Sequence, residues 1–142
     1  MKSTLIAAAV ALSAGAAFAD GHGGWPKDAS VYIISPANGE TVTSPFKVQF
    51  GLSGLGVAPA GIEKEKTGHH HLLINTAAPS GEDLQYGLPA TDQIRHFGGG
   101  QTEAMVELPP GEHTLQLMMG NAGHVPLDPP LVSTVVTVRV AD

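Results

Sequence analysis

Three consecutive histidines are the residues best suited to chemistry in this chain of 142 residues. His69, His70 and His71 directly precede the apolar run Leu72-Leu73-Ile74. Neutral imidazole is the commonest protein ligand for transition metals of intermediate softness. The sequence contains no cysteine, which excludes thiolate metal sites, cysteine nucleophiles and disulfides. Metal chemistry would therefore depend on histidine, methionine or backbone groups.

The triplet has two interpretations that the local sequence leaves open. In a strand, His69 and His71 would share one face and His70 would point to the other. Taken alone, this pattern favours a polar strand start with two solvated imidazoles and one hydrogen-bonded inside. Metal binding becomes an equal alternative if other histidines reach the same end of the fold. The remaining histidines are His22, His96, His113 and His124.

The elements around the triplet are those of an all-β domain. Eighteen glycines and eleven prolines separate short β-branched runs, and Phe46–Leu52 alternates apolar and polar residues as a half-buried strand does. The other predicted strands are Val31–Ile34, His69–Thr76, a short one near Leu84–Leu88, Thr102–Leu108, His113–Met119, and Val132–Val140 with its alternate residues on one face. This pattern predicts an immunoglobulin-like β-sandwich of about seven strands.

The directions of these strands decide which histidines can meet. If Thr102–Leu108 pairs antiparallel with Phe46–Leu52, the segment that carries His96 enters from the end at which the triplet strand begins. The loop Gly120–Pro130, which carries His124, returns to that same end. The N-terminal segment that carries His22 would reach this pole as well. The strand His113–Met119, which follows the Pro109–Glu112 turn, would start at the opposite pole.

The sequence therefore predicts a candidate metal site at one pole of the sandwich. Its expected ligands are His69, His71, His96 and His124, with His70 as an alternative ligand or as a residue that orients one. His113 is expected to be structural. Three or four imidazoles, with a methionine thioether nearby, suit copper best and zinc second. The site requires His69 and His71 to face His96 or His124.

The N-terminus predicts export to the periplasm or the medium. Lys2 supplies a positive charge, Leu5–Leu12 is apolar, and Ala17-Phe18-Ala19 has the small-x-small pattern of a cleavage site. The apolar stretch is too short to span a bilayer as a stable helix, so no membrane span is expected in the mature form. We expect residues 1–19 to be a signal peptide, residues 20–30 a flexible arm and residues 31–142 the sandwich.

Cleavage after Ala19 would create a second candidate metal site. The new N-terminus would be Asp20-Gly21-His22, in which the amine, two backbone amides and the imidazole supply four nitrogens in one plane. Cu(II) and Ni(II) prefer that geometry. Any histidine in third position has the same property, so chance placement explains His22 equally well.

Charge and motifs narrow the function classes. Without Lys2, six basic and 13 acidic side chains remain, and this surface repels nucleic acid and anionic membranes but attracts cations. No serine lies in a nucleophile elbow, and a copper-binding histidine brace would need histidine rather than Asp20 at the mature N-terminus. We therefore expect a binding protein rather than an enzyme.

Four segments carry a resemblance to a known family. The segments are SPANGETV, TGHHHLLIN, HFGGGQTEAMVELPPGEHTLQL and DPPLVSTVVTVRV. Together they resemble a family of exported bacterial domains of unknown function. The resemblance covers nearly the whole mature chain and implies a sandwich-like fold and an exported location, without an established activity. The opening and closing segments also resemble bacterial immunoglobulin-like modules, which mostly bind or act as spacers.

Two functions from different classes follow from these observations. The first is an exported metal-binding domain, for copper, that acts as a carrier, a buffer or an assembly accessory with a periplasmic protein partner. The second is a module whose polar, histidine-rich end binds a protein or a glycan without metal. Metal titration of the mature protein distinguishes the two.

Overall fold

The computed structural model describes residues 23–142, which form two packed β-sheets with one short 3-10 helix, Gly81–Gln85. The predicted signal peptide and His22 lie outside the described residues. The strands are β1 Ser30–Ser35, β2 Thr41–Val42, β3 Phe46–Ser53, β4 Gly56–Val57, β5 Thr67–Ile74, β6 Ile94–His96, β7 Glu103–Val106, β8 Gly111–Gly120 and β9 Val136–Val140. The predicted all-β sandwich is confirmed. None of the described residues forms a helix long and apolar enough to cross a membrane.

The two sheets differ in size. The small sheet has the order β1-β3-β7, and all of its pairs are antiparallel. The large sheet has the order β2-β9-β8-β5-β4, and β6 also pairs with β5. Val106 lies opposite Phe46 in the β3–β7 pair, so the predicted antiparallel pairing of these two segments is confirmed.

The main core lies between the inner faces of the two sheets. On β3, the buried Phe46, Val48 and Phe50 alternate with more exposed residues, as the period of two predicts. Leu72 on β5 and Leu117 on β8 face them from the large sheet and are fully buried. Burial of each such side chain contributes about 1.5–3 kcal/mol, which fixes β5 and β8 as the rigid centre of the large sheet.

The outer face of the large sheet is covered as well. Leu84 and Leu88 pack there against Leu73 of β5 and Met118 of β8. The predicted strand near Leu84–Leu88 is wrong, because β8 occupies one edge of β5 while β4 and β6 occupy the other. The covering segment therefore packs through side chains instead of joining the sheet. As a result β5 is buried on both faces over seven of its eight residues.

The last strand is shorter than predicted. Val136, Val138 and Val140 face the main core, whereas Val132 forms an isolated bridge with Met118 and packs in the outer cluster. The chain changes layer between them, where the Ser133 hydroxyl accepts a hydrogen bond from the backbone N–H of Leu117 at 2.8 Å. The prediction that Val132 shares a face with the later valines is wrong for this reason.

Trp25, in the segment before β1, packs against the sandwich. Its indole Nε1–H donates to the backbone oxygen of Pro126 at 2.6 Å, and its ring covers Gly68 so closely that a Cβ there would lie 2.9 Å from it. This contact joins the loop after β8 to the start of β5. It therefore holds together the two elements that carry the candidate site.

Candidate metal centre

β5 places its three consecutive histidines on opposite faces of the large sheet. The side chains of His69, His70 and His71 all have 0% relative exposure. His70 points into the sandwich, where its ring centroid lies 5.2 Å from that of Phe50. His69 and His71 point outward, beneath the loop that follows β8. The alternation predicted for the triplet is present, but neither face is solvated.

His124 reaches these two rings from the loop. Its backbone N–H donates to the Asn121 carbonyl at 2.9 Å, and the Asn121 side-chain oxygen accepts from the N–H groups of Gly123 and Val125. His124 has a φ of 63°, in the left-handed region that non-glycine residues occupy at a cost of about 1–3 kcal/mol. The turn thus holds the backbone in a strained conformation that directs the imidazole at the sheet.

Three ring nitrogens converge at this point. His69 Nε2 lies 2.9 Å from His124 Nδ1, and His71 Nε2 lies 3.1 Å from the same atom. One ligand nitrogen from each of the three residues lies within 4.8 Å of the other two. A tetrahedral ion with bonds of 2.0–2.1 Å separates its ligand atoms by about 3.3 Å. The observed spacing fits three ligands of one metal ion.

Hydrogen bonding alone does not satisfy this arrangement. A neutral imidazole nitrogen carries either one proton or one lone pair, so His124 Nδ1 cannot form two well-directed hydrogen bonds with its two neighbours. An ion between the rings would instead accept one lone pair from each of them. The chemistry of the donor set therefore favours a metal ion over a network of protons.

Gly120 makes room for the cluster. This residue lies opposite His69 in the β5–β8 pair, and a Cβ on it would clash with the ring of His71 and lie 3.2 Å from the His124 Cα. The approach of the two imidazoles therefore requires a residue without a side chain at this position.

The electrostatics keep these histidines neutral. Burial, followed by the neighbouring His124, His96 and His70, lowers the pKa of His69 to about 4. Burial and the rings of His69, His96 and His124 lower the pKa of His71 to about 3, although the Met118 backbone opposes part of the shift. Burial and His96 also lower the pKa of His124. At neutral pH the rings are therefore uncharged and can offer lone pairs.

Several buried ring nitrogens, on both faces of the large sheet, have no hydrogen-bond partner. They are Nδ1 of His69, both nitrogens of His70, Nδ1 of His71 and Nε2 of His96. Burial lowers the pKa of His70 to about 4, and the Gln101 backbone opposes this without reaching hydrogen-bonding geometry. An unpartnered buried polar group costs about 1–3 kcal/mol. The unpartnered nitrogens of His69, His71 and His96 lie on residues of the outer face, whereas those of His70 face the main core. None of them is one of the three nitrogens that converge.

His96 lies beside the three converging histidines. It is opposite His71 in the β5–β6 pair, and its ring centroid is 4.5 Å from that of His71 and 4.5 Å from that of His124. Its nitrogens nevertheless lie outside the group of three. The prediction that His69 and His71 face His96 or His124 is confirmed. The roles of these residues as ligands stay predictions, as does the role of His22.

His70 and His113 do not join the cluster. His70 faces the main core, on the opposite side of the sheet. His113 lies near the start of β8, seven residues or about 23 Å along the strand from Gly120. Its Nε2–H donates to the Pro109 carbonyl at 2.7 Å and its Nδ1 accepts from the Asn75 side-chain amide at 2.8 Å. Both ring nitrogens are thus satisfied, in agreement with the predicted structural role.

Three residues that shape the site escaped the sequence argument. Gly120, Asn121 and Trp25 are not among the converging histidines, yet they determine where these histidines lie. The Asn121-Ala122-Gly123 segment is a recognisable turn signal, and it indicates where the chain reverses toward His124. No sequence signal indicates that Gly120 is adjacent to the ring of His71, because this depends on the strand register.

Comparison with known proteins adds a family. No curated protein and no solved structure matches the chain. Residues 48–141 match the family model described as "Domain of unknown function (DUF4399)", and this range contains all the histidines of the cluster together with β4 to β9. The predicted resemblance to a family of unknown function is confirmed. Because the match covers more than half of the chain, the protein belongs to the family described as Domain of unknown function (DUF4399).

Proposed function

We propose that this protein is an exported copper-binding domain that acts as a carrier, a buffer or an assembly accessory in the periplasm. The convergence of His69 Nε2 and His71 Nε2 on His124 Nδ1, at 2.9 and 3.1 Å, carries the proposal. These three imidazoles are neutral at pH 7 and supply a donor set for a borderline or soft metal ion. Export rests on the sequence of residues 1–19.

Copper is proposed over zinc because of a neighbouring thioether. Met118 lies opposite His71 in the β5–β8 pair and belongs to the outer hydrophobic cluster, on the face that carries the converging histidines. Three imidazoles alone also suit zinc, but a soft sulfur beside imidazole nitrogens favours Cu(I). The described acidic residues do not join the group of potential ligands.

The positions of the ligands suit transfer of the ion rather than catalysis. His69 and His71 lie on the central strand of a packed sheet, whereas His124 lies on a loop and is partly exposed. Movement of one loop would therefore release one of the three ligands while the other two stay in place. A partner protein that offers its own soft ligand could take up the ion from that side.

The second candidate is a protein-interaction module that functions without metal. On the outer face of the small sheet, Tyr32, Ile34 and Met105 are 46%, 58% and 58% exposed. Exposed apolar side chains on one face are a feature of interaction surfaces. This surface lies on the other sheet from the histidines, so the two functions can be tested separately.

Metal titration of the mature protein tests the copper proposal. We expect the His22→Ala variant, which lacks the candidate terminal site, to bind one equivalent of Cu(I) or Cu(II). Addition of His69→Ala and His71→Ala should abolish this binding, whereas addition of His113→Ala should leave it intact. Retained binding in the triple variant, with a circular dichroism spectrum of the native fold, would contradict the proposal. Mass measurement of the exported protein tests cleavage before Asp20.

A further inference from the structure

His96 has a position that differs from those of the three converging histidines. It ends β6, a strand of three residues at the side of β5, and its side chain is partly exposed. Its Nε2 is nevertheless buried and has no hydrogen-bond partner. The centroid of the His96 ring lies 4.5 Å from the ring centroids of both His71 and His124. The His96 nitrogens nevertheless do not belong to the group of ligand nitrogens, from His69, His71 and His124, that lie within 4.8 Å of one another. A fourth imidazole thus lies next to the site without completing it.

The backbone after His96 is held at one residue and free of side chains at the next three. The N–H of Phe97 donates to the His70 carbonyl at 3.0 Å, which holds the chain against β5. The next three residues are glycines, and Gly100 has a φ of 84°. The His96 ring therefore has a fixed point of attachment, a partly open environment and no hydrogen bond through Nε2 that a rotation would break. The two ring centroids 4.5 Å away belong to His71 and His124, so the ring is already adjacent to two of the three converging histidines.

Copper in its two oxidation states demands different numbers of ligands. Cu(I) is a soft ion that three donors can satisfy, whereas Cu(II) favours a tetragonal set of four nitrogen or oxygen ligands. We propose, on the basis of the copper site described above, that His69, His71 and His124 bind Cu(I) and that His96 rotates in as a fourth ligand for Cu(II) only. His96 would thereby set the relative affinity of the site for the two oxidation states.

The test compares His96→Ala with Arg95→Ala, both in the His22→Ala background so that the N-terminus does not bind Cu(II). Arg95 precedes His96 on β6 and its side chain points to the other face, so this variant controls for changes in the strand. Cu(I) affinity is measured by competition with a chromogenic Cu(I) chelator, and Cu(II) affinity by competition with a chelating amino acid. Pulsed electron paramagnetic resonance counts the imidazoles bound to Cu(II).

We expect His96→Ala to weaken Cu(II) binding by about 10- to 100-fold or more, the range in which loss of even an orienting partner falls. The number of bound imidazoles should decrease from four to three, while Cu(I) affinity changes less than threefold. Arg95→Ala should change neither affinity. If His96→Ala weakens Cu(I) binding and Cu(II) binding equally, or weakens neither, this inference is overturned while the copper site stands. Absence of binding of either ion before His96 is changed would overturn the proposed function itself.

Discussion

Substitution of Gly120 by alanine tests whether the space beside β5 determines the metal site. The added Cβ would clash with Cε1 of His71 and would lie 3.0 Å from its Nδ1 and 3.2 Å from the Cα of His124. Carbon atoms at contact distance lie about 3.5–4.0 Å apart, so the ring must move by about 1 Å. The His124 turn must also move by a few tenths of an ångström. Both displacements change the distance between His71 Nε2 and His124 Nδ1, which is now 3.1 Å.

The expected effect on metal binding is large. Metal–nitrogen bonds tolerate deviations of about 0.2 Å, so a movement of about 1 Å removes His71 or His124 from the first coordination sphere. We expect the metal affinity of Gly120→Ala to fall by about 100-fold, equivalent to about 2.7 kcal/mol. Overpacking should also lower the free energy of unfolding of the metal-free protein by about 1–3 kcal/mol.

Gly123→Ala is the matched control in the same turn. A Cβ at Gly123 would meet only the Asn121 Oδ1, at an ordinary 3.6 Å, and should leave metal affinity within about twofold of the parent. The assay is chelator competition at pH 7, together with thermal unfolding followed by circular dichroism. If Gly120→Ala is folded and binds as tightly as Gly123→Ala, then His71 and His124 do not act together on one ion and the argument from their spacing fails.

The remaining predictions concern stability. His113→Ala should leave metal affinity unchanged but lower the free energy of unfolding, measured in urea, by about 1–3 kcal/mol. The cause is that the Asn75 amide and the Pro109 carbonyl each lose their hydrogen-bond partner. A loss of metal affinity in this variant would contradict the structural role of His113. The metal-free protein should become less stable as the pH falls from 6.5 toward 3, by up to about 1.4 kcal/mol per pH unit for each buried histidine. The reason is that histidines in the unfolded chain bind protons near pH 6.5, whereas folded His69 and His71 do so only near pH 4 and 3. Urea unfolding at pH 7, 6 and 5 in the presence of a chelator measures this change, and equal stabilities at the three pH values would contradict it. Cu(I) at 100 times its dissociation constant should raise the free energy of unfolding by about 2.7 kcal/mol, and this increase should disappear in the variant without His69 and His71.

The pairing of strands was predictable where one face of a strand is polar. Phe46–Leu52 alternates clearly, and β3 is found at Phe46–Ser53. Its partner Thr102–Leu108 has the same alternation, and β7 occupies the centre of that range. From these two strands the topology followed, and the topology placed His124 beside the triplet. A period of two therefore contained enough information to bring together residues that are 53 positions apart.

The burial of the triplet was not predictable in the same way. All residues of β5 after Thr67 are buried, so the strand has no polar face that could indicate its orientation. The outer layer consists of an irregular segment whose contacts come from Leu84 and Leu88, and no periodicity marks such a segment. The strand β6 has only three residues, too few for an alternating pattern. Which histidines converge and which only pack therefore depended on side-chain packing that the sequence does not encode locally.

In the described part of the chain, several costs to stability lie at the histidine end of β5, on both faces of the large sheet. The left-handed backbone of His124, the buried nitrogens without partners on β5 and the side-chain-free position at Gly120 each reduce stability compared with an apolar alternative. At the other end of the same sheet, His113 shows that this protein can bury an imidazole with both nitrogens satisfied. Among the described histidines, poor satisfaction of the ring nitrogens is therefore confined to this end of the sheet. Local departures from good packing persist where function requires them. A bound ion would take one lone pair from each of the three converging nitrogens, whereas the unpartnered Nδ1 atoms of His69 and His71 and both nitrogens of His70 would keep their cost.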